Sequence, residues 1–376
     1  MDYQMISVDD HIDLGYLPKS LWSERLPQSL CERGPQVRQT ESGASVWVCD
    51  GQNWGRWAGG RWVEEARSYQ TALERAGVEQ EGILRPTTAR LRLSDMDRDG
   101  IEATVMFGPV HALAIADTEL RLAVYQAYNE WLSEFCAYEP KRLFGVAVLP
   151  AEDPEGATTE VYRLAKQGGI RQVSMHIARV TSPIYSTVWE PFWTAVEETG
   201  IIASFHLVLS NVMLQHRNED PAAIFETTKG FISQFLDPFV GLLGRGVLER
   251  RPGVKLVLAE SGLGWLPWVV QEMDYRYRRL VSNKKYWEQR GGIGLSMPPS
   301  EVFRRQVYVT FQDDEVGVDL LKYFGEDKVM WASDYPHPDS TWPHSRQAIQ
   351  RQMSGFAPQM QKKILRDNAM KLYGLC

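Results

Sequence analysis

Apolar residues along this chain fall into two alternating rhythms. Short runs rich in β-branched and other apolar residues occur at 6–10, 103–107, 143–149, 172–175, 201–205, 254–259, 307–311 and 329–333. Between most of them the apolar positions recur every three or four residues, the spacing of an amphipathic helix. From Thr118 to Tyr138, for example, Leu122, Tyr125, Tyr128, Trp131, Leu132 and Phe135 form such a stripe. Further helices are predicted at 154–167, 187–199, about 222–250, 315–324, 343–353 and 358–373, with another opened by Ser261-Gly262 and carrying Leu263, Leu266, Val269, Val270 and Met273. Strands that are apolar throughout, rather than alternating, are buried on both faces, as in a parallel sheet covered by helices. Eight such units predict an α/β fold, a (β/α)8 TIM barrel, over a single domain of residues 1–376. No GxGxxG follows the first strand, so nothing supports a dinucleotide-binding sheet.

One segment departs from this rhythm. Residues 45–63 alternate, turn at Asp50-Gly51 and carry Trp47, Trp54, Trp57 and Trp62. Asp-Gly between alternating runs predicts a β-hairpin, here inserted after the first strand. Its tryptophans must pack on the barrel mouth or on a neighbouring subunit, because large apolar patches are rare on a soluble monomer. Residues 64–93 read as a polar excursion with a helix and a loop at Arg85-Pro86-Thr87; Ser94 then reads as a helix N-cap and Gly100 as a helix stop.

Charge and composition narrow the partners. The net charge of -7 argues against nucleic acid or an anionic membrane as the main partner. No apolar run reaches spanning length and the N-terminus lacks a signal-peptide pattern, so a cytoplasmic protein acting on a small molecule is expected. Cys31, Cys49, Cys136 and Cys376 lie far apart, which gives neither a disulfide framework nor a zinc ribbon.

The candidate chemistry sits where the apolar runs end. Asp9 and His11, with Asp13 beyond, close the first strand; His176 follows the fourth, His206 the fifth, Glu260 the sixth and Asp334 the eighth. In a barrel these ends share one mouth. Carboxylates and imidazoles together suit zinc, iron or manganese, and the surplus of ligands leaves one or two ions open. Asp9 and His11 share a face of an extended strand; Asp10 points the other way and reads as structural. Each residue also has a plainer reading. His206 could be a core histidine, Asp334 could cap the Pro336–Pro338 turn, and Glu260 could cap the helix near Leu263. His337 and His344 read as loop residues, the former within reach of a substrate, and His111 and His216 as loop residues near the mouth.

These strand ends resemble the amidohydrolase superfamily, and within it the branch that holds aminocarboxymuconate-semialdehyde and γ-resorcylate decarboxylases. The resemblance rests on Ser7–Asp13, on Tyr128-Asn129-Glu130-Trp131-Leu132 ahead of Leu149-Pro150, on Ala259–Trp265 and on Trp331–Asp339. It implies that Asp9, His11, His206 and Asp334 hold a divalent metal. It also implies a histidine after the sixth strand, where this chain has Glu260, and none after the fourth, where it has His176. The function expected is a metal-dependent hydrolase or non-oxidative decarboxylase of a small carboxylate- or carbonyl-bearing molecule, with Asp334 moving the proton and Glu260 and His176 as further catalytic candidates. Two alternatives stand beside it. One is a non-haem iron or manganese oxygenase using a two-His-one-carboxylate set. The other is a structural subunit paired with a catalytic paralogue. A homodimer or higher oligomer is expected, or in the last case a hetero-oligomer.

Overall fold

The computed structural model describes residues 3–57, 84–109, 115–207, 225, 227–292, 294–337 and 339–375. Eight parallel strands form one sheet in chain order: β1 (Met5–His11), β5 (Ile101–Phe107), β6 (Leu143–Leu149), β7 (Gln172–Met175), β8 (Ile202–His206), β9 (Leu256–Ala259), β10 (Val307–Phe311) and β11 (Val329–Trp331). Helices follow the strands, as at 118–136 after β5 and 154–167 after β6. The seam between β11 and β1 is drawn together just past the strand end, where Asp334 N donates to Asp9 O at 3.0 Å and His11 N to Tyr335 O at 2.7 Å. The architecture is the expected TIM barrel.

Its core has two layers, and strand alternation assigns each residue to one. Ile6, Val8, Val105, Phe107, Val146, Ile202, Val257 and Met330 fill the interior, and Leu372 and Tyr373 of the last helix pack against them. Val173, Met175, Ala203 and Phe205 point outward into the layer shared with the helices. β1 breaks its own alternation. Ser7 lies opposite Thr104 but Asp10 opposite Met106, so β1 holds one extra residue there, a β-bulge. The bulge leaves Val8 inside and still aims Asp9 and His11 at the mouth.

The hairpin lies at β3 (Ser45–Cys49) and β4 (Gln52–Arg56), turning at Asp50 and Gly51, both with positive φ (49° and 76°) as the tight turn requires. An edge strand that the pattern did not reveal, β2 (Gln36–Gln39), makes the sheet three-stranded. Residues 58–63, with Trp62, lie outside the described residues. The described tryptophans pack on their own chain. Trp47 is fully buried, its Nε1 donates to Leu14 O at 2.8 Å, and its ring meets Trp22 edge-on at 4.9 Å. Trp57 Nε1 donates to Leu17 O at 2.8 Å. The insertion therefore clamps the segment that leaves β1 toward the mouth.

Two helix starts differ from expectation. Ser94 lies inside a helix that runs Ala89–Asp99 with Thr88 at its N-cap position, whereas Gly100 is the left-handed stop. The earlier start arises because Arg85 and Asp95 form a buried bidentate pair at 2.8 and 2.7 Å that folds the preceding turn onto the helix. The helix after β9 begins at Leu266, not Leu263, because Asp314 Oδ2 takes the Leu263 N–H at 2.7 Å and holds 260–265 as a loop.

The helix Ala89–Asp99 ends in a titrating buried acid. Asp99 accepts from Ser345 N at 3.0 Å and from Ser345 Oγ, linking two helices. Burial pushes its carboxyl up to about 7, against the lowering effect of those hydrogen bonds. A carboxyl raised in the folded state contributes stability that is complete below its unfolded pKa, near 4, and is lost as pH rises through about 7. Asp99→Asn should therefore gain stability relative to the wild type between pH 5 and pH 8, by on the order of 3 kcal/mol. Urea midpoints of both proteins at the two pH values test this; an unchanged difference would refute it.

Candidate metal centre

At the C-terminal mouth the structure brings Asp9, His11, His206 and Asp334 together, all of them buried. His206 Nε2 lies 3.1 Å from Asp9 Oδ1. His11 Nε2 lies 3.0 Å from Asp334 Oδ1 and 3.6 Å from Asp9 Oδ1. Ligand atoms of Asp9, His11 and His206 all fall within 4.8 Å of one another. Glu260 reaches the edge of this cluster, with Oε2 3.6 Å from His206 Nε2. Because the following helix starts six residues on, Glu260 does not cap it.

The backbone aims these groups. Glu260 (φ 55°) and Asp334 (φ 64°) sit in the left-handed region, which a residue with a Cβ adopts at a cost. Glu260 is held there by its N–H on Thr310 Oγ1 at 2.8 Å, Asp334 by its N–H on Asp9 O. His206 Nδ1 contacts the Leu207 carbonyl, which turns Nε2 toward the carboxylates. Behind β1, Asp10 accepts from Ser7 Oγ (2.7 Å), Ser333 Oγ (2.7 Å), Thr104 Oγ1 and Tyr335 N (3.2 Å). The fully buried Arg92 lies 3.7 Å from Asp10 and donates to His11 O at 2.9 Å. Asp10 is thus the knot that ties β1, β5 and the Asp334 turn.

His337 joins the site, which its place in a turn hid. Its ring stacks on His11 at 3.9 Å between centroids and 26° between planes. Nδ1 is 3.0 Å from Asp334 Oδ1 and Nε2 is 3.4 Å from Asp13 Oδ2. The i, i+3 spacing from Asp334 within a proline turn was the available signal. Ligand atoms of His11, Asp13 and His337 also fall within 4.8 Å of one another, and His337 Nε2 pairs there with Asp13 in a stack beside the centre. Asp13 serves His337 there. His176 makes no contact with this cluster, His344 precedes the helix Ser345–Met353, and His111 and His216 lie outside the described residues.

The electrostatics of the cluster call for a cation. Burial alone would depress the His206 imidazole, but Asp9 outweighs it and lifts it to about 9. Burial likewise works against charge on His337, and Asp334 and Asp13 overcome it, raising its pKa. Burial together with the neighbouring imidazoles keeps His11 neutral, and burial raises Glu260. Two imidazoles held toward their cationic form thus face Asp9, Asp13 and Asp334, while the Glu260 carboxyl is held toward its neutral form. His11 Nε2, buried between two carboxylates, makes no hydrogen bond. Unpaired buried polar atoms are costly. A neutral imidazole nitrogen buried beside carboxylates and bonded to neither is what a divalent ion would satisfy, and this donor set of nitrogens and oxygens suits manganese, iron or zinc.

The amidohydrolase family, matched as a sequence family, spans residues 84–375. The chain belongs to that family. Membership makes it an enzyme of the amidohydrolase superfamily. Among its relatives is a γ-resorcylate decarboxylase from Polaromonas sp. (strain JS666 / ATCC BAA-500), 26% identical over 260 residues, covering 66% of this chain and 76% of the relative. The same barrel occurs in an amidohydrolase from Mycobacterium avium subsp. paratuberculosis K-10, with a TM-score of 0.74 and 20% identity over 100% of this chain and 99% of that one. It occurs too in a dihydroxybenzoic acid decarboxylase from Polaromonas sp. JS666, solved with manganese and the inhibitor 2-nitroresorcinol, with a TM-score of 0.63 and 19% identity over 99% and 97% of the two chains.

Proposed function

We propose that this amidohydrolase-family chain is a metal-dependent non-oxidative decarboxylase of a hydroxylated aromatic carboxylate, working with one divalent ion, manganese first among the candidates. The observation that carries the reading is His11 Nε2, buried between Asp334 and Asp9 with no hydrogen bond, at the mouth of a barrel whose relatives are γ-resorcylate decarboxylases. Asp9, His11, His206 and Asp334 would hold the ion. When bound, the ion supplies Lewis acidity that orients and polarises an anionic oxygen of the substrate.

The chain's own residues handle the proton. Decarboxylation replaces the ring carbon–carboxylate bond with a carbon–hydrogen bond. A proton reaches the ring carbon, the carbon–carbon electron pair stays with the ring, and carbon dioxide leaves. Asp334 would deliver that proton, and His337, hydrogen-bonded to it through Nδ1 at 3.0 Å, would replenish it. Asp13 steadies the far nitrogen of His337. His337, from the turn after β11, is thus the imidazole beside Asp334 in a chain that carries Glu260 after the sixth strand, where the resemblance implies a histidine.

The test is direct. Protein stripped with a chelator should release no carbon dioxide from 2,6-dihydroxybenzoate, and adding manganese should restore release. Bound manganese with no decarboxylation of any hydroxybenzoate would overturn the activity and leave the metal site standing.

A further inference from the structure

Among the histidines at the ends of barrel strands, His176 is the one that the metal centre does not use. It follows β7 in extended backbone (φ -74°, ψ 94°), so the alternation of that strand continues through it. Val173 and Met175 face outward, whereas Gln172 reaches inward to Tyr373 Oη at 2.7 Å. His176 therefore faces the interior. β7 and β8 pair with Met175 opposite Phe205, which sets His176 level with His206 one strand away. Neighbouring strands lie about 5 Å apart, so His176 stands one strand away from the ligand candidate His206.

The ring's state suits a particular contact. Nδ1 is shut in against the residue's own backbone and makes no hydrogen bond of good geometry. The ring is half-buried, and its Nε2 is not sealed in as Nδ1 is. Burial, then the nearby Arg179 cation, lowers its pKa to about 4, so it is a neutral imidazole at working pH. Arg179 is itself engaged by Glu152 at 3.3 Å. A neutral nitrogen acceptor at this position has little attraction for a carboxylate and a good one for a hydroxyl.

We infer that His176 is a specificity-determining substrate contact whose Nε2 accepts a hydrogen bond from a ring hydroxyl of the aromatic acid. This assignment rests on the decarboxylase reading for the substrate class, but it concerns binding. One neutral hydrogen bond is worth roughly a factor of ten.

The experiment is calorimetric titration of the manganese-loaded protein with 2,6-dihydroxybenzoate and with benzoate, for the wild type, His176→Phe and His176→Gln. The wild type should favour the hydroxylated acid. His176→Phe should weaken that acid roughly tenfold and leave benzoate and manganese content unchanged, and His176→Gln should recover part of the loss. Equal weakening of both acids, no weakening of either, or a wild type without preference for the hydroxylated acid would overturn the inference. Carbon dioxide release, followed separately, decides the activity. A wild type that shows the preference but no decarboxylation would sink the decarboxylase reading and leave His176 as a binding residue.

Discussion

His206→Ala is expected to cost the protein its bound manganese and its turnover together. Residues that merely orient metal ligands typically change affinity 10–100-fold when lost. A ligand bearing directly on the ion should cost at least about 100-fold. The loss also strands Asp9, whose Oδ1 faces His206 Nε2 at 3.1 Å. The fold should survive, because β8 keeps its apolar residues Ile202, Ala203 and Phe205. Elemental analysis after dialysis, with circular dichroism as the control for folding, is the measurement. A full equivalent of manganese held at wild-type affinity would remove His206 from the site.

The second large effect is expected away from the metal, at Asp10. Its carboxylate gathers Ser7, Thr104, Ser333 and the Tyr335 N–H, and it is the acid beside the fully buried Arg92 guanidinium. Asp10→Ala leaves a buried cation without its counter-charge and three hydroxyls without their shared acceptor. Breaking such a buried pair costs about 3–5 kcal/mol. The damage should spread to function, because the same knot fixes the strand that carries Asp9 and His11 and the turn that carries Asp334. Chemical denaturation should show the loss of stability, and metal titration should show weaker binding in whatever protein remains folded. Asp10→Asn, which keeps one acceptor and the volume, should fall between. A stability change below about 1 kcal/mol for the alanine variant would mean that Arg92 finds another partner.

The two variants separate what was readable in the residues from what was not. His206 could be singled out because it stands directly after an apolar strand in a chain that repeats strand and helix eight times. Barrel topology then dictates the end at which such a residue lies. Asp10 could be set apart from Asp9 and His11 by alternation, but its partners could not be named, since Thr104, Ser333 and Arg92 come from distant stretches. His337 was harder still. It lies in a proline turn without periodicity, and only the left-handed backbone at Asp334 brings its ring over His11.

Sequence alone determined the number and order of the barrel strands, the Asp50-Gly51 turn, and the residues that end β1, β8, β9 and β11. Those follow from local physics: side-chain periodicity, turn chemistry and the exclusion of charge from apolar runs. Only the tertiary structure decided which of the polar ends meet. A bulge of one residue in β1 aims Asp9 and His11 together, Asp314 delays the helix after β9 so that Glu260 stays in a loop, and strand register sets His176 beside His206 but outside the cluster. These are choices of an ångström or of one residue in register, and they are fixed by contacts between segments hundreds of positions apart, which no local pattern records.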